Sequence, residues 1–97
     1  MELNSKQTRY LRSMAHHLDA VVMVGDRGMS GEVIRAADDA LKAHELIKVR
    51  IRGDREDVKE HAGTFERTLK AALVQIICKV VLLYRPRKKD PKIRLPK

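Results

Sequence analysis

The stretch Gly25-Asp26-Arg27-Gly28-Met29-Ser30-Gly31 combines three glycines, an arginine and a serine between an apolar run, Ala20 to Val24, and an amphipathic segment that begins at Glu32. Gly25 and Gly28 carry no Cβ, so the backbone there can take positive φ and come within hydrogen-bonding distance of a ligand. Ser30 suits a helix N-cap, and the unpaired amides of the turn after it, with the positive end of the helix dipole, offer a seat for phosphate. Cations recur elsewhere at ordered spacings. Lys48, Arg50 and Arg52 alternate with Ile47, Val49 and Ile51, which puts three positive side chains ~6.5 to 7 Å apart on one face of a strand, close to the repeat of a nucleic-acid backbone. Arg9, Arg12 and His16 share one helical face, either as a solvated surface or as phosphate contacts.

Catalytic chemistry finds less support. The single Cys78 lies in an apolar stretch without a CxxC neighbour, an environment that raises a thiol's pKa. His16, His17, His44 and His61 show no metal-ligand spacing with acidic or cysteine partners. No nucleophile, base and orienting group fall into a recognisable set, so the expectation is a protein that is not an enzyme and needs no metal or cofactor.

The elements that must position these residues can be read from periodicity. Leu11, Met14, Ala15 and Leu18 mark the inner face of a helix from Ser5 to about Leu18. Ala20 to Val24 is short, valine-rich and followed by glycine, which favours a buried strand. Val33, Ile34, Ala37, Ala40 and Leu41 face inward on a helix from about Gly31 to Ala43, whose outer face offers i to i+4 pairs between Arg35 and Asp39 and between Asp38 and Lys42. Glu45 to Arg52 reads as the half-buried second strand, parallel to the first because a helix connects them. Asp54 and Asp57 open a third helix, with Val58, Ala62, Phe65, Leu69 and Ala72 as its stripe. Leu73 to Ile77 and Val80 to Tyr84 suggest a closing hairpin around Cys78 and Lys79.

Ninety-seven residues with 43% hydrophobic content support one domain with a modest core. The formal charge of +8 is uneven: residues 1 to 47 hold six Lys/Arg against seven Asp/Glu, and residues 48 to 97 hold fifteen against six. That imbalance favours a polyanionic partner. No apolar run approaches the roughly 20 residues of a membrane span, and the first residues lack a signal-peptide apolar region, so a cytoplasmic, membrane-free protein is expected. From Arg85 to Lys97 the chain carries seven cations, one anion and three prolines. Such a tail is expected to be extended or disordered when free, serving either as added electrostatic affinity or as a solubilising segment.

The order of elements, together with Val22-Met23-Val24-Gly25-Asp26-Arg27-Gly28-Met29-Ser30, His44-Glu45-Leu46-Ile47-Lys48-Val49-Arg50 and Leu83-Tyr84-Arg85-Pro86, resembles the YhbY family, the stand-alone bacterial form of the CRM (chloroplast RNA splicing and ribosome maturation) domain. The resemblance spans essentially the whole chain. It implies an α/β domain of αβαβαββ order with a four-stranded mixed sheet packed by helices, similar to the C-terminal domain of a bacterial translation initiation factor and KH-like in its GxxG loop. It further implies a monomeric RNA-binding accessory protein whose partner is ribosomal RNA in a precursor of the large ribosomal subunit. On this reading residues 1–86 are the domain and 87–97 a basic tail. The RNA-contacting residues are Gly25, Asp26, Arg27 and Gly28 in the loop, with Arg9, Arg12, Lys48, Arg50, Arg52, Arg85, Arg87, Lys88 and Lys89 around it. Scarce aromatics argue for reading backbone and shape more than bases; Tyr84 is the one ring beside the tail and reads as a half-buried strand tyrosine ahead of a base platform. Relatives tend to carry glycine where this chain has Lys70 and Cys78, and Asp26 sets a negative charge inside the loop. An adaptor joining ribosomal particles through protein contacts is the alternative.

Overall fold

The computed structural model describes residues 2–97. Its elements run α1 (Ser5–Ala15), β1 (Ala20–Val24), α2 (Gly31–His44), β2 (Leu46–Ile51), α3 (Arg55–Leu69), β3 (Ala72–Ile77) and β4 (Val80–Tyr84). The four strands form one sheet in the order β1-β2-β4-β3. β1 and β2 are parallel, as a strand–helix–strand connection requires, and the β2–β4 and β3–β4 pairs are antiparallel. The expected αβαβαββ order and mixed sheet are therefore present.

Capping residues set the helix starts. Asn4 and Gln7 close a reciprocal capping box at α1, Asp54 and Asp57 do the same at α3, and the Ser30 side chain accepts from the Val33 amide at α2. α1 stops at Ala15, three residues earlier than its periodicity suggests, and Leu18 stands exposed beyond it. α3 also ends earlier, at Leu69, so Ala72 belongs to β3 and not to the helical stripe.

The sheet separates two apolar layers. α2 and α3 cover one face, where Ala37, Leu41, Val58, Ala62, Phe65 and Leu69 meet Val22, Val24, Ile47, Val49, Ile51, Val81 and Leu83. α1 covers part of the other face, with Leu11 and Ala15 on Leu46, Val74, Leu82 and Tyr84. Tyr84 is 2% exposed, and burial, with the Glu45 charge nearby, holds its phenol above its ordinary value. It is a core residue and offers no platform at the surface.

Lys70 ends α3 at φ 52° and Cys78 begins the β3–β4 turn at φ 54°. Both lie in the left-handed region that costs an L-residue about 1–2 kcal/mol, which explains why glycine suits these two positions. Both side chains are exposed, so replacing them removes no packing. After the entropy that glycine restores to the unfolded chain, Lys70→Gly and Cys78→Gly should each stabilise the fold by about 0.5 kcal/mol, read as a raised urea midpoint with an unchanged m-value.

Candidate nucleic-acid interface

The Gly25–Gly28 loop leaves the carboxyl end of β1 and turns back at once, with the Gly28 amide donating to the Gly25 carbonyl at 3.0 Å. Gly28 takes φ 72°, and a Cβ placed there would meet only His61 at 3.9 Å. Gly25 keeps an ordinary φ with open space around it, so only one of the two glycines answers a backbone requirement. The Arg52 amide donates to the Val24 carbonyl at 2.9 Å and fastens the end of β2 beside the loop. Gly53 then turns at φ 141°, where a Cβ would stand 2.5 Å from the Asp57 carboxylate of the α3 capping box. Glycine is therefore required at the connection that faces the loop as well.

Together these turns enclose a polar cleft of about 490 Å³ lined by Gly25, Asp26, Gly28, Arg52, Gly53, Asp57, His61 and Lys79. Asp26 is ion-paired with Arg52 at 3.0 Å, across two mostly exposed side chains. The negative charge inside the loop is thus answered by one of the cations expected to serve the loop, at little gain in stability for so exposed a pair. Lys79 arrives because β4 runs antiparallel to β2, and the Ile51 amide donates to the Lys79 carbonyl at 2.8 Å. His61 arrives from α3, four residues after Asp57 and so on the same helical face. Sequence reasoning missed both residues as neighbours of the loop; the parallel β1–β2 pair was the available signal, since it gathers the carboxyl ends of both strands at one edge.

The other expected site residues fall into separate places. Arg12 and Lys48 line a second groove, of about 370 Å³, with His16, Ile77 and Val80. Arg50 is exposed on the same face of β2 as Lys48, and Arg9 is exposed one turn before Arg12. Arg27 is exposed at the loop tip. Lys88 and Lys89 line a cleft of about 760 Å³ with Lys42, Lys70 and Arg85, at the carboxyl ends of α2 and α3. That cleft lies at the opposite end of β2 from the loop, ~17 Å away along the strand.

Arg85 is turned inward and does not join the exposed cations. Its guanidinium meets Asp38 at 2.8 Å, donates to the Leu69 carbonyl at 3.0 Å and to the Asp38 carbonyl at 3.2 Å. Arg85, and behind it Lys42, hold the Asp38 carboxyl below its ordinary 3.8. The Lys42–Asp38 pair expected along α2 is present at 3.1 Å. Arg87 is half-buried, donates to the Asp90 carbonyl and leaves its Nε without a partner.

The C-terminal segment, expected to be extended or disordered, has no helix or strand after Tyr84 but is docked on the domain, and Glu45 is what holds it. Its carboxylate is fully buried and accepts from the backbone amides of Arg87 at 2.8 Å, Ile93 at 2.9 Å and Lys92. Ile93 is buried and Leu95 packs beside it in the layer under α1, and Gln7 donates to the Pro96 carbonyl at 3.1 Å. The two apolar residues at period two inside a basic run were the sequence signal for this docking.

Residues 3–85 match the CRS1/YhbY (CRM) domain family, and the chain belongs to it. The chain is 43% identical to a Haemophilus influenzae protein named RNA-binding protein, over 98% of this chain and 96% of that one. It is 38% identical to the Bacillus subtilis protein YqeI, named a probable RNA-binding protein, over 97% and 99% respectively. The solution structure of a hypothetical Staphylococcus aureus protein superposes with a TM-score of 0.84 at 38% identity, covering 98% of this chain and all of that one.

Burial alone raises the Glu45 pKa, but the amides of Arg87, Ile93 and Lys92 outweigh it and the net shift is downward from the ordinary 4.5. A carboxyl whose folded pKa is lowered stabilises fully above its unfolded value and loses that contribution as pH falls through the folded one. Unfolding free energy should therefore hold steady to just above pH 4.5 and drop below it, with Asp38 acting in the same direction lower down. Glu45→Ala should cost about 3 kcal/mol, flatten this acid limb and remove hydrogen-exchange protection from the Arg87, Lys92 and Ile93 amides.

Proposed function

We propose that this protein binds RNA, gripping the sugar-phosphate backbone at the Gly25–Gly28 loop, and that its partner is ribosomal RNA in a precursor of the large ribosomal subunit. The observation that carries the reading is the meeting, at one edge of a CRM-family domain, of a left-handed Gly28 turn, with Arg27 exposed at its tip, and an open polar cleft lined by Arg52, Lys79 and His61. The loop brings bare backbone to the surface while the cations supply the field, a division of labour suited to phosphate recognition without base readout. Lys48, Arg50, Arg12 and Arg9 extend the positive surface along the sheet and α1, and Lys88 and Lys89 extend it at the far end of the domain. No chemistry is assigned to the site, and among the described residues no helix is long and apolar enough to cross a membrane. In this reading residues 1–86 form the RNA-binding domain and the docked segment 87–97 is a basic extension of its surface.

Crosslinking in cells followed by sequencing of the bound RNA tests the partner: enrichment of precursor ribosomal RNA is expected, and recovery of RNA in proportion to abundance would overturn that assignment. RNase treatment should release the protein from ribosomal particles, whereas retention would favour an adaptor role through protein contacts.

In vitro, affinity should fall with salt at a log–log slope of roughly −0.7 per phosphate contacted on single strands. Gly28→Asp, which finds open space there but costs about 1–2 kcal/mol at the left-handed φ, should weaken binding more than Arg27→Ala among folded variants. Asp26→Asn should tighten binding about two- to fivefold, because it frees Arg52 and removes a like charge from the phosphate path. Fluorescence anisotropy on variants with native circular dichroism reads all three.

A further inference from the structure

Strand register places four side chains in one row across the sheet: Met23 opposite Arg50, Arg50 opposite Val80, and Val80 opposite Ile77. The row faces away from α2 and α3, since the strand neighbours Val24, Val49, Ile51 and Val81 all sit in the layer those helices cover. α1 reaches only the other half of this face, where it buries Leu46, Val74, Leu82 and Tyr84. The row is left open, with Met23 63% and Ile77 51% exposed, and Val21 beside it 53% exposed. Met23 stands two residues before Gly25, so the row borders the point where the Gly25–Gly28 loop leaves β1.

Cations border this apolar strip without acids to answer them. Arg50 is within the row, and Lys48, two residues before it on the same face of β2, lines a groove with Arg12 of α1 and the row's Val80 and Ile77. No carboxylate lines that groove, and among the described residues none of the three has an ion-pair partner. A surface of this kind suits a ligand with apolar flat groups and regular negative charge.

We propose that the Met23–Arg50–Val80–Ile77 row is a seat for unpaired nucleotides, so that the RNA bound at the loop is single-stranded where it crosses the sheet. Bases pack on Met23, Val80 and Ile77, and phosphates lie against Arg50, Lys48 and Arg12. A duplex could use the cations but would leave the apolar side chains unmatched, because its bases are stacked inside. The row is ~14 Å wide at the strand spacing of a sheet, the width on which four-stranded sheets elsewhere carry two or three bases. A second copy of this chain is disfavoured as the occupant, because pairing the face with itself would set two unneutralised Arg50–Lys48 clusters against each other.

This inference deepens the RNA-binding reading and rests on it, so the test separates the two. The double variant Met23→Ser/Ile77→Ser changes only side chains more than half exposed. Anisotropy titrations would compare it with wild type and Gly28→Asp, on a single-stranded oligonucleotide and on a duplex of the same composition. The double variant should lose about fivefold or more in affinity for the single strand and little for the duplex, whereas Gly28→Asp weakens both. Unchanged single-strand affinity in the double variant, with Gly28→Asp still impaired, would overturn the seat, keep the loop and leave the row to an acidic protein partner. Wild-type self-association in sedimentation that the double variant abolishes would assign the row to a second copy and overturn the seat too. If wild type binds neither RNA, both readings fall.

Discussion

One buried carboxylate ties the ends of this fold together. Glu45 leaves α2 at φ 64°, its amide donating to the Leu41 carbonyl and its own carbonyl accepting from the Arg85 amide just past β4. Its side chain, with no exposure to solvent, accepts three backbone amides from the segment that follows. A buried charge is tolerable only when its lone pairs are used, and the amides of Arg87, Lys92 and Ile93 use them. The same residue therefore fixes where α2 stops, where β2 begins, how β4 is continued and where a run of seven cations lies.

That anchoring decides how the positive charge is distributed. A free basic tail would sweep a volume around the domain, whereas a segment pinned at Arg87, Lys92, Ile93 and Pro96 presents Lys88 and Lys89 at one place, beside the carboxyl ends of α2 and α3. Those helix ends carry partial negative charge and exposed carbonyls, and Lys92 Nζ and Arg85 satisfy two of them. Part of the chain's +8 is thus spent inside the protein, and the rest is divided between the loop edge, the open half of the sheet and the tail cleft. The sheet organises the first two, because β1 delivers both the loop and the exposed Met23 within three residues.

The loop itself balances opposite demands. Gly28 adopts a backbone conformation that keeps the turn tight, Gly53 makes room for the α3 capping box across the cleft, and Asp26 is met by Arg52. The acidic caps of α3 stabilise that helix through its dipole but also bring Asp57 to the cleft wall, and Lys79 of the β3–β4 turn lines the same cleft with the opposite charge.

Much of the fold was written in local patterns. Period-two alternation at Ile47, Val49 and Ile51 and the stripe of Val58, Ala62, Phe65 and Leu69 fix which faces are buried, because apolar side chains on a regular backbone can leave water in only one direction. Asp54 and Ser30 announce helix starts because their side chains satisfy amides within three residues. The glycine loop was legible for the same local reason. What the sequence could not disclose depends on residues far apart in the chain. Arg85 reads as one more surface cation until Asp38 and the Leu69 carbonyl meet it; the tail reads as extended or disordered, and although Ile93 and Leu95 hint at docking, only the fold brings Glu45, more than forty residues earlier, to its amides. His61 and Lys79 become neighbours of the loop, and Met23 and Ile77 members of one row, only through the order β1-β2-β4-β3. Hydrophobic periodicity tells a residue which way to point, and only strand order and register decide what it will find there.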